Sequence, residues 1–210
     1  MADSREELIH ERLDEYERLK NQLASQGYSE KNSVISIVKA NFLAIVTAGP
    51  ICLIFISLYC LFVHDSESIY DSDNFFIIMV FAIISIPIHE LLHGLGWMLF
   101  CKNGKKSISF GVIWKYLTPY CHCSEPLSIG RYCFGTLVPC MILGLIPAIA
   151  ALFSGSVVLL AVGVFNILAA GGDLTIVCML IKYIGKKVLI LDHPSECGCA
   201  VFIPEKSEVR

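Results

Sequence analysis

Residues 75–100 read FFIIMVFAIISIPIHELLHGLGWMLF, an apolar run with His89-Glu90-Leu91-Leu92-His93 set inside it. The run is long enough to cross a bilayer as one helix. Ionisable side chains within such a span are costly, by about a few kcal/mol each, and therefore signal a function or a partner. Spacing selects the partner. Residues four apart on a helix differ by about 40° in direction and ~6 Å in height, so His89 and His93 can hold one metal ion between them. Glu90 projects about 100° from His89. It can stand beside the ion without ligating it, as general base toward water. Zinc suits the set, because it lowers the pKa of a water that it binds to about 7.

Two histidines leave zinc short of protein ligands, since a catalytic site commonly has three plus water. The other acid within an apolar run is Asp173, in Ala169-Ala170-Gly171-Gly172-Asp173. His89 lies 14 residues into its span and Asp173 17 residues into a later one, or ~21 and ~25 Å from their outer ends. The two spans run in the same direction, so the groups fall at similar heights. Gly171 and Gly172 are expected to let a neighbouring helix approach closely. Asn166, seven residues before Asp173, is a candidate to bind substrate or orient a ligand; interhelical hydrogen bonding is its alternative.

Working outward, the chain has 210 residues, of which 55% are hydrophobic and only 17% charged. Ordinary soluble domains carry roughly 25% charged residues. Four stretches can span a bilayer: Val38 to Val63 with a kink expected at Pro50, Phe75 to Phe100, Tyr132 to Phe153 interrupted by Pro139 and Pro147, and Ser156 to Ile181. Lysine and arginine gather before the first span, between the second and third, and after the fourth. The segment from His64 to Asn74 and the link at Gly155 have neither. The positive-inside rule then places both termini in the cytoplasm of a multi-pass protein of the cell membrane. A net charge of −3 excludes a basic nucleic-acid binder.

The start of the chain lacks the basic-then-apolar order of a signal peptide. Ser4-Arg5-Glu6-Glu7 reads as a capping box opening a helix that ends near Gly27. Its thin apolar stripe, Ile9, Leu13, Tyr16 and Leu23, suits a helix lying on the membrane or a partner, or a solvated head. From Ser107 to Tyr116 apolar residues alternate, the signature of a strand. Thr118-Pro119 is expected to turn, Tyr120-Cys121-His122-Cys123 to return as a second strand, and Ser124-Glu125-Pro126 to start a helix. The tail from Val188 to Ile203 reads as extended, with a turn at Asp192-His193-Pro194. The ten cysteines lie in spans or cytoplasmic segments, so reduced thiols are expected. Cys121-His122-Cys123 and Cys197-Gly198-Cys199 are weak signals for a second, thiolate metal site. His122 is a further candidate substrate-binding group at the first metal.

The expected architecture is an all-α integral membrane protein with four transmembrane helices, a small β-hairpin on the cytoplasmic side and an amphipathic N-terminal helix. Residues 1–32 form the head, 33–187 the membrane unit and 188–210 the tail.

The His89-Glu90-x-x-His93 motif in one span and Gly172-Asp173 in a later one resemble the membrane zinc metalloproteases of the site-2 protease type. More closely, residues 30 to 205 resemble a small bacterial membrane family of zincin peptidases, in the four spans, the segment Leu117 to Leu127, the Gly-Gly-Asp and the tail Asp192-His193-Pro194. One departure from the larger group is that Leu174 follows Asp173, where those enzymes have glycine. The resemblance implies a peptidase with one zinc ion, held by His89, His93 and Asp173 with Glu90 as base, acting on a membrane-anchored peptide or protein. It also implies that the hairpin clamps substrate. The competing expectation is a non-catalytic membrane protein with a structural metal site, or one that handles metal or serves as a scaffold.

Overall fold

A computed structural model describes residues 3–63, 72–113, 118–193 and 198–205 of the chain. The protein is mostly helical, with three helices long and apolar enough to cross a membrane, or four if one bent pair is counted as a span. The first two are α2 (Ile37–Phe62) and α3 (Ser72–Met98), preceded by α1 (Asp3–Ser25). Ser36 caps α2 by accepting the Lys39 backbone N–H, and the helix runs through Pro50 unbroken.

The third apolar stretch is composite. Helix α4 (Ile129–Pro139) passes into a π-helical turn, Cys140–Leu145, and then α5 (Ile146–Ser154). The turn lies between Pro139 and Pro147, each of which lacks a backbone N–H, and the widened π register is a usual way for a helix to absorb such a defect. Gly155, at φ +69°, ends α5. The fourth stretch, expected as one span, is instead broken at Ala170 into α6 (Val157–Ala169) and α7 (Gly171–Leu180), with a bend of 49°. A Cβ on Gly171 would lie 2.6 Å from the Ala44 carbonyl oxygen of α2, so this residue lets the two helices touch. Gly172, expected to do the same, faces open space.

The all-α expectation needs correction, because two sheets stand beside the helices. One is the expected hairpin, β2 (Ile108–Ile113) and β3 (Thr118–Cys123), paired antiparallel from Ile108↔Cys123 to Ile113↔Thr118. Thr118 and Pro119 belong to the strand rather than to a turn; Trp114 to Leu117 lie outside the described residues. The second sheet has the order β1-β6-β5-β4, built from β1 (Tyr28–Val34), β4 (Leu127–Ser128), β5 (Leu189–Asp192) and β6 (Gly198–Pro204). Extended structure in the tail was expected, but β1 was not. Its sequence, YSEKNSV, has almost no apolar residue to alternate, and its conformation comes from pairing along its whole length with β6. Ser124-Glu125-Pro126 does not open a helix: α4 begins at Ile129, after β4. Glu125 instead accepts the backbone N–H groups of Lys102 and Asn103. Burial pushes its carboxyl up, but the Ser107 hydroxyl, and after it these two N–H donors, hold it below the usual range.

The α1 helix lies on this second sheet. Tyr16 and Leu23 are buried against Leu191, Ala200 and Phe202, with Leu19 and Tyr28 at the edge. Tyr16 and Leu23 of the apolar stripe are therefore occupied within the chain; the Ile9 side chain lies outside the described residues. The expected capping box at Ser4 to Glu7 falls among residues whose side chains are not described. Elsewhere many large apolar side chains face outward from α2, α3 and α5, among them Phe42, Leu53, Phe76 and Phe153. A helix apolar all round is the form that a bilayer selects.

Candidate metal centre

The α3 helix presents His89 and His93 on one face, one turn apart. The break at Ala170 makes Gly171 the first residue of α7, so Asp173 sits in the first turn of that helix, where its carboxylate reaches the two histidines of α3. His89 Nε2 lies 3.1 Å from Asp173 Oδ2 and 3.1 Å from His93 Nε2, and His93 Nε2 lies 3.3 Å from Asp173 Oδ1. All three side chains are largely withdrawn from solvent.

This donor set fits one zinc ion. Ligands at 2.0–2.1 Å from a tetrahedral centre stand roughly 3.3 Å from one another, and the observed separations are 3.1–3.3 Å. The protons agree. His93 Nδ1 lies 3.0 Å from the Gly135 carbonyl oxygen, which can only accept, so Nδ1 carries the proton and Nε2 is a bare donor. Two imidazole nitrogens and a carboxylate facing one another at these distances could hold a metal cation between them. Among the described residues this is the group of three or more metal-ligating side chains that converges.

The support behind His93 was not read from the sequence. Trp97, one further turn along α3, stacks on the His93 ring with centroids 5.2 Å apart. Tyr132 of α4 stacks on the far face of Trp97 at 5.5 Å, and the Trp97 indole donates to the Tyr132 carbonyl. This contact depends on Gly135, where a Cβ would lie 2.1 Å from Trp97 Cδ1. The spacing His93, Trp97 on one helix face was the signal available in the sequence; that Tyr132 and Gly135 back it was not visible there.

Glu90 lies beside the donor group, on the side of α3 against which the hairpin strand β3 packs. The hairpin packs against α3, with Ile108 and Phe110 filling the space over Gly94. Strand alternation then sends His122 to the opposite face. It lies beside Asp192 of β5, Nδ1 to Oδ2 3.8 Å, and lines a cavity of about 180 Å³ with Arg12, Lys106 and Ser109. His122 is thus grouped with α1 and the tail, not with His89 and His93, and burial holds its imidazole below the ordinary range. Asn166 is 1% exposed and donates its amide to the Val162 carbonyl of its own helix.

The described cysteines are free thiols. Cys101 and Cys123 lie 3.5 Å apart at sulfur. Burial pushes the Cys121 and Cys123 thiols far up, and that of Cys199 up to about 12. Cys197 is outside the described residues. Asp192, expected only to mark a turn, is 9% exposed and takes part in a hydrogen-bonded cluster.

The profile of one protein family, described as Putative zincin peptidase, matches residues 82–187, a segment that contains all three donors, Glu90, the hairpin and Tyr132. No curated protein and no solved structure matches the chain.

Proposed function

The chain belongs to the family described as Putative zincin peptidase, and we propose that it is a membrane-embedded zinc peptidase that hydrolyses peptide bonds of membrane-anchored peptides or proteins. The observation that carries this reading is the convergence of His89, His93 and Asp173 from two helices with Glu90 standing free of the group. A structural metal site needs ligands; it has no use for an unligated carboxylate at its side.

A zinc ion bound there supplies a Lewis acid and an acidified water. The rest belongs to the chain. His89, His93 and Asp173 hold the ion, and the Gly135 carbonyl keeps His93 in the ligating tautomer. Glu90 takes a proton from water at its carboxylate oxygen and returns it to the leaving amine nitrogen. Ile108 and Phe110 lie over Gly94, one turn along α3 from Glu90, and give that side of the site an apolar flank.

The membrane setting is supported by the outward apolar faces of α2, α3 and α5. The lysine and arginine distribution supports cytoplasmic termini, and with them a substrate entering from the cytoplasmic side. Asn166 and His122 remain candidates for contacts with substrate beyond the metal.

Glu90→Gln tests the reading. The variant is expected to keep zinc and to lose turnover of a membrane-tethered peptide by about 10²–10⁴-fold. Unchanged turnover in Glu90→Gln, alongside loss of a cellular phenotype in His89→Ala, would instead mark the metal as structural.

A further inference from the structure

The tail contributes one acid to an otherwise apolar strand. In Leu189-Ile190-Leu191-Asp192 the last residue is 9% exposed, next to neighbours that are essentially buried. Its carboxylate oxygens are used separately. Oδ1 accepts the Tyr132 hydroxyl at 2.5 Å, and Oδ2 accepts the Cys123 backbone N–H at 2.9 Å. Tyr132 belongs to α4 and Cys123 to β3, so one side chain joins the tail to both structures that flank the metal centre.

Each connection continues inward. Tyr132 stacks on Trp97 and accepts its indole N–H, and Trp97 stacks on His93. One turn beyond Tyr132, Gly135 accepts the His93 Nδ1–H. On the other side, Cys123 and Cys121 are two apart on β3, so their N–H groups point the same way, to the edge away from β2. The Ser124 N–H, which bonds the Ser107 carbonyl, points the other way. The outward N–H of Cys123 meets Asp192, and the same edge of β3, at Cys121, packs along α3 beside Glu90.

We infer that Asp192 is a positioning residue for the metal centre, setting His93 through Tyr132 and fixing the β3 edge that packs on α3 beside Glu90. A buried carboxylate is retained in a strand only where donors need it, and both donors here belong to elements that end beside the site. This inference rests on the reading of His89, His93 and Asp173 as metal ligands, and it extends that site to the tail.

The test uses the full chain in detergent or nanodiscs, with Co²⁺ as a spectroscopic stand-in for zinc, and the variants Asp192→Ala, Asp192→Asn and Tyr132→Phe. In Asp192→Ala we expect Co²⁺ affinity to fall about 10–100-fold with altered visible bands, and faster amide exchange in residues 118–123, at unchanged helix content. Tyr132→Phe should move the Co²⁺ bands while leaving exchange in 118–123 as in the wild type. Asp192→Asn, which keeps an acceptor for the Cys123 N–H, should restore that protection. Should Asp192→Ala fail to fold, the other two variants carry the test. Wild-type Co²⁺ bands and affinity in folded Tyr132→Phe, together with wild-type exchange in folded Asp192→Ala or, failing that, no protection restored beyond the baseline in Asp192→Asn, would overturn the inference. A wild type that takes up no Co²⁺ defeats the metal reading and the positioning role with it; Co²⁺ uptake without peptidase activity defeats only the catalytic reading.

Discussion

Asp173 Oδ2 stands 3.1 Å from His89 Nε2, although the two residues are 84 positions apart. The break at Ala170 produces this contact. It starts a new helix at Gly171, tilts it by 49° and turns the third residue of that helix toward α3.

The adjacent glycines at this break should behave differently. Gly171→Ala forces a Cβ to within 2.6 Å of the Ala44 carbonyl, and is expected to destabilise the protein by roughly 1–3 kcal/mol. Gly172→Ala meets nothing within 4 Å and should be neutral or slightly stabilising, since alanine is the better helix former. Thermal unfolding of the two variants in detergent decides it; equal midpoints would mean that the α2–α7 approach is looser than described.

The α1–β1 contact should depend on pH. Burial pushes the Glu30 carboxyl up, but the Tyr16 hydroxyl and the Lys20 ammonium outweigh it and hold the group below its ordinary value. A carboxylate depressed in the folded state contributes stability that is present above its unfolded pKa of about 4.3 and is lost as pH falls through the folded value. The Lys20 amine is raised, chiefly by Glu30, so its share is present below about pH 10.4 and disappears as pH rises through its folded value. Amide protection of Tyr28 to Val34, taken relative to the unstructured chain at the same pH, should therefore fall on acidification below about pH 4.3. In Glu30→Gln that acid-induced step should be missing, and its persistence would remove Glu30 as the cause.

The thiols at the hairpin and tail should resist alkylation. With Cys199 pushed up to about 12 and Cys123 further still, the thiolate population at pH 8 is lower by about a thousandfold or more than for a free cysteine. Iodoacetamide followed by peptide mass mapping should label both only after denaturation. Complete labelling of the native protein within minutes would show that these sites open readily.

Three long apolar helices and the two histidines were legible because their signals are local; the break of the fourth stretch at Ala170 was not. Length and apolar content mark a bilayer-crossing helix, and a four-residue spacing puts His89 and His93 on one face. The tail strands and the hairpin were legible for the same reason, through alternation in Ile108, Phe110 and Val112. What was hidden depends on partners distant in sequence. Strand β1 has no apolar alternation and takes its form from β6. Asp192 looks like a turn residue until Tyr132 and Cys123 are seen to meet it. The role of Gly135 requires knowing that Trp97 lies against it.

We propose that His89, His93 and Asp173 hold one ion together, and elemental analysis of the purified protein, with His93→Ala and Asp173→Ala alongside, tests this. One zinc per wild-type chain is expected, and little or none in either variant, with all three proteins folded. Zinc bound equally well by the folded variants, or a folded wild-type protein that takes up none when zinc is supplied, would contradict it.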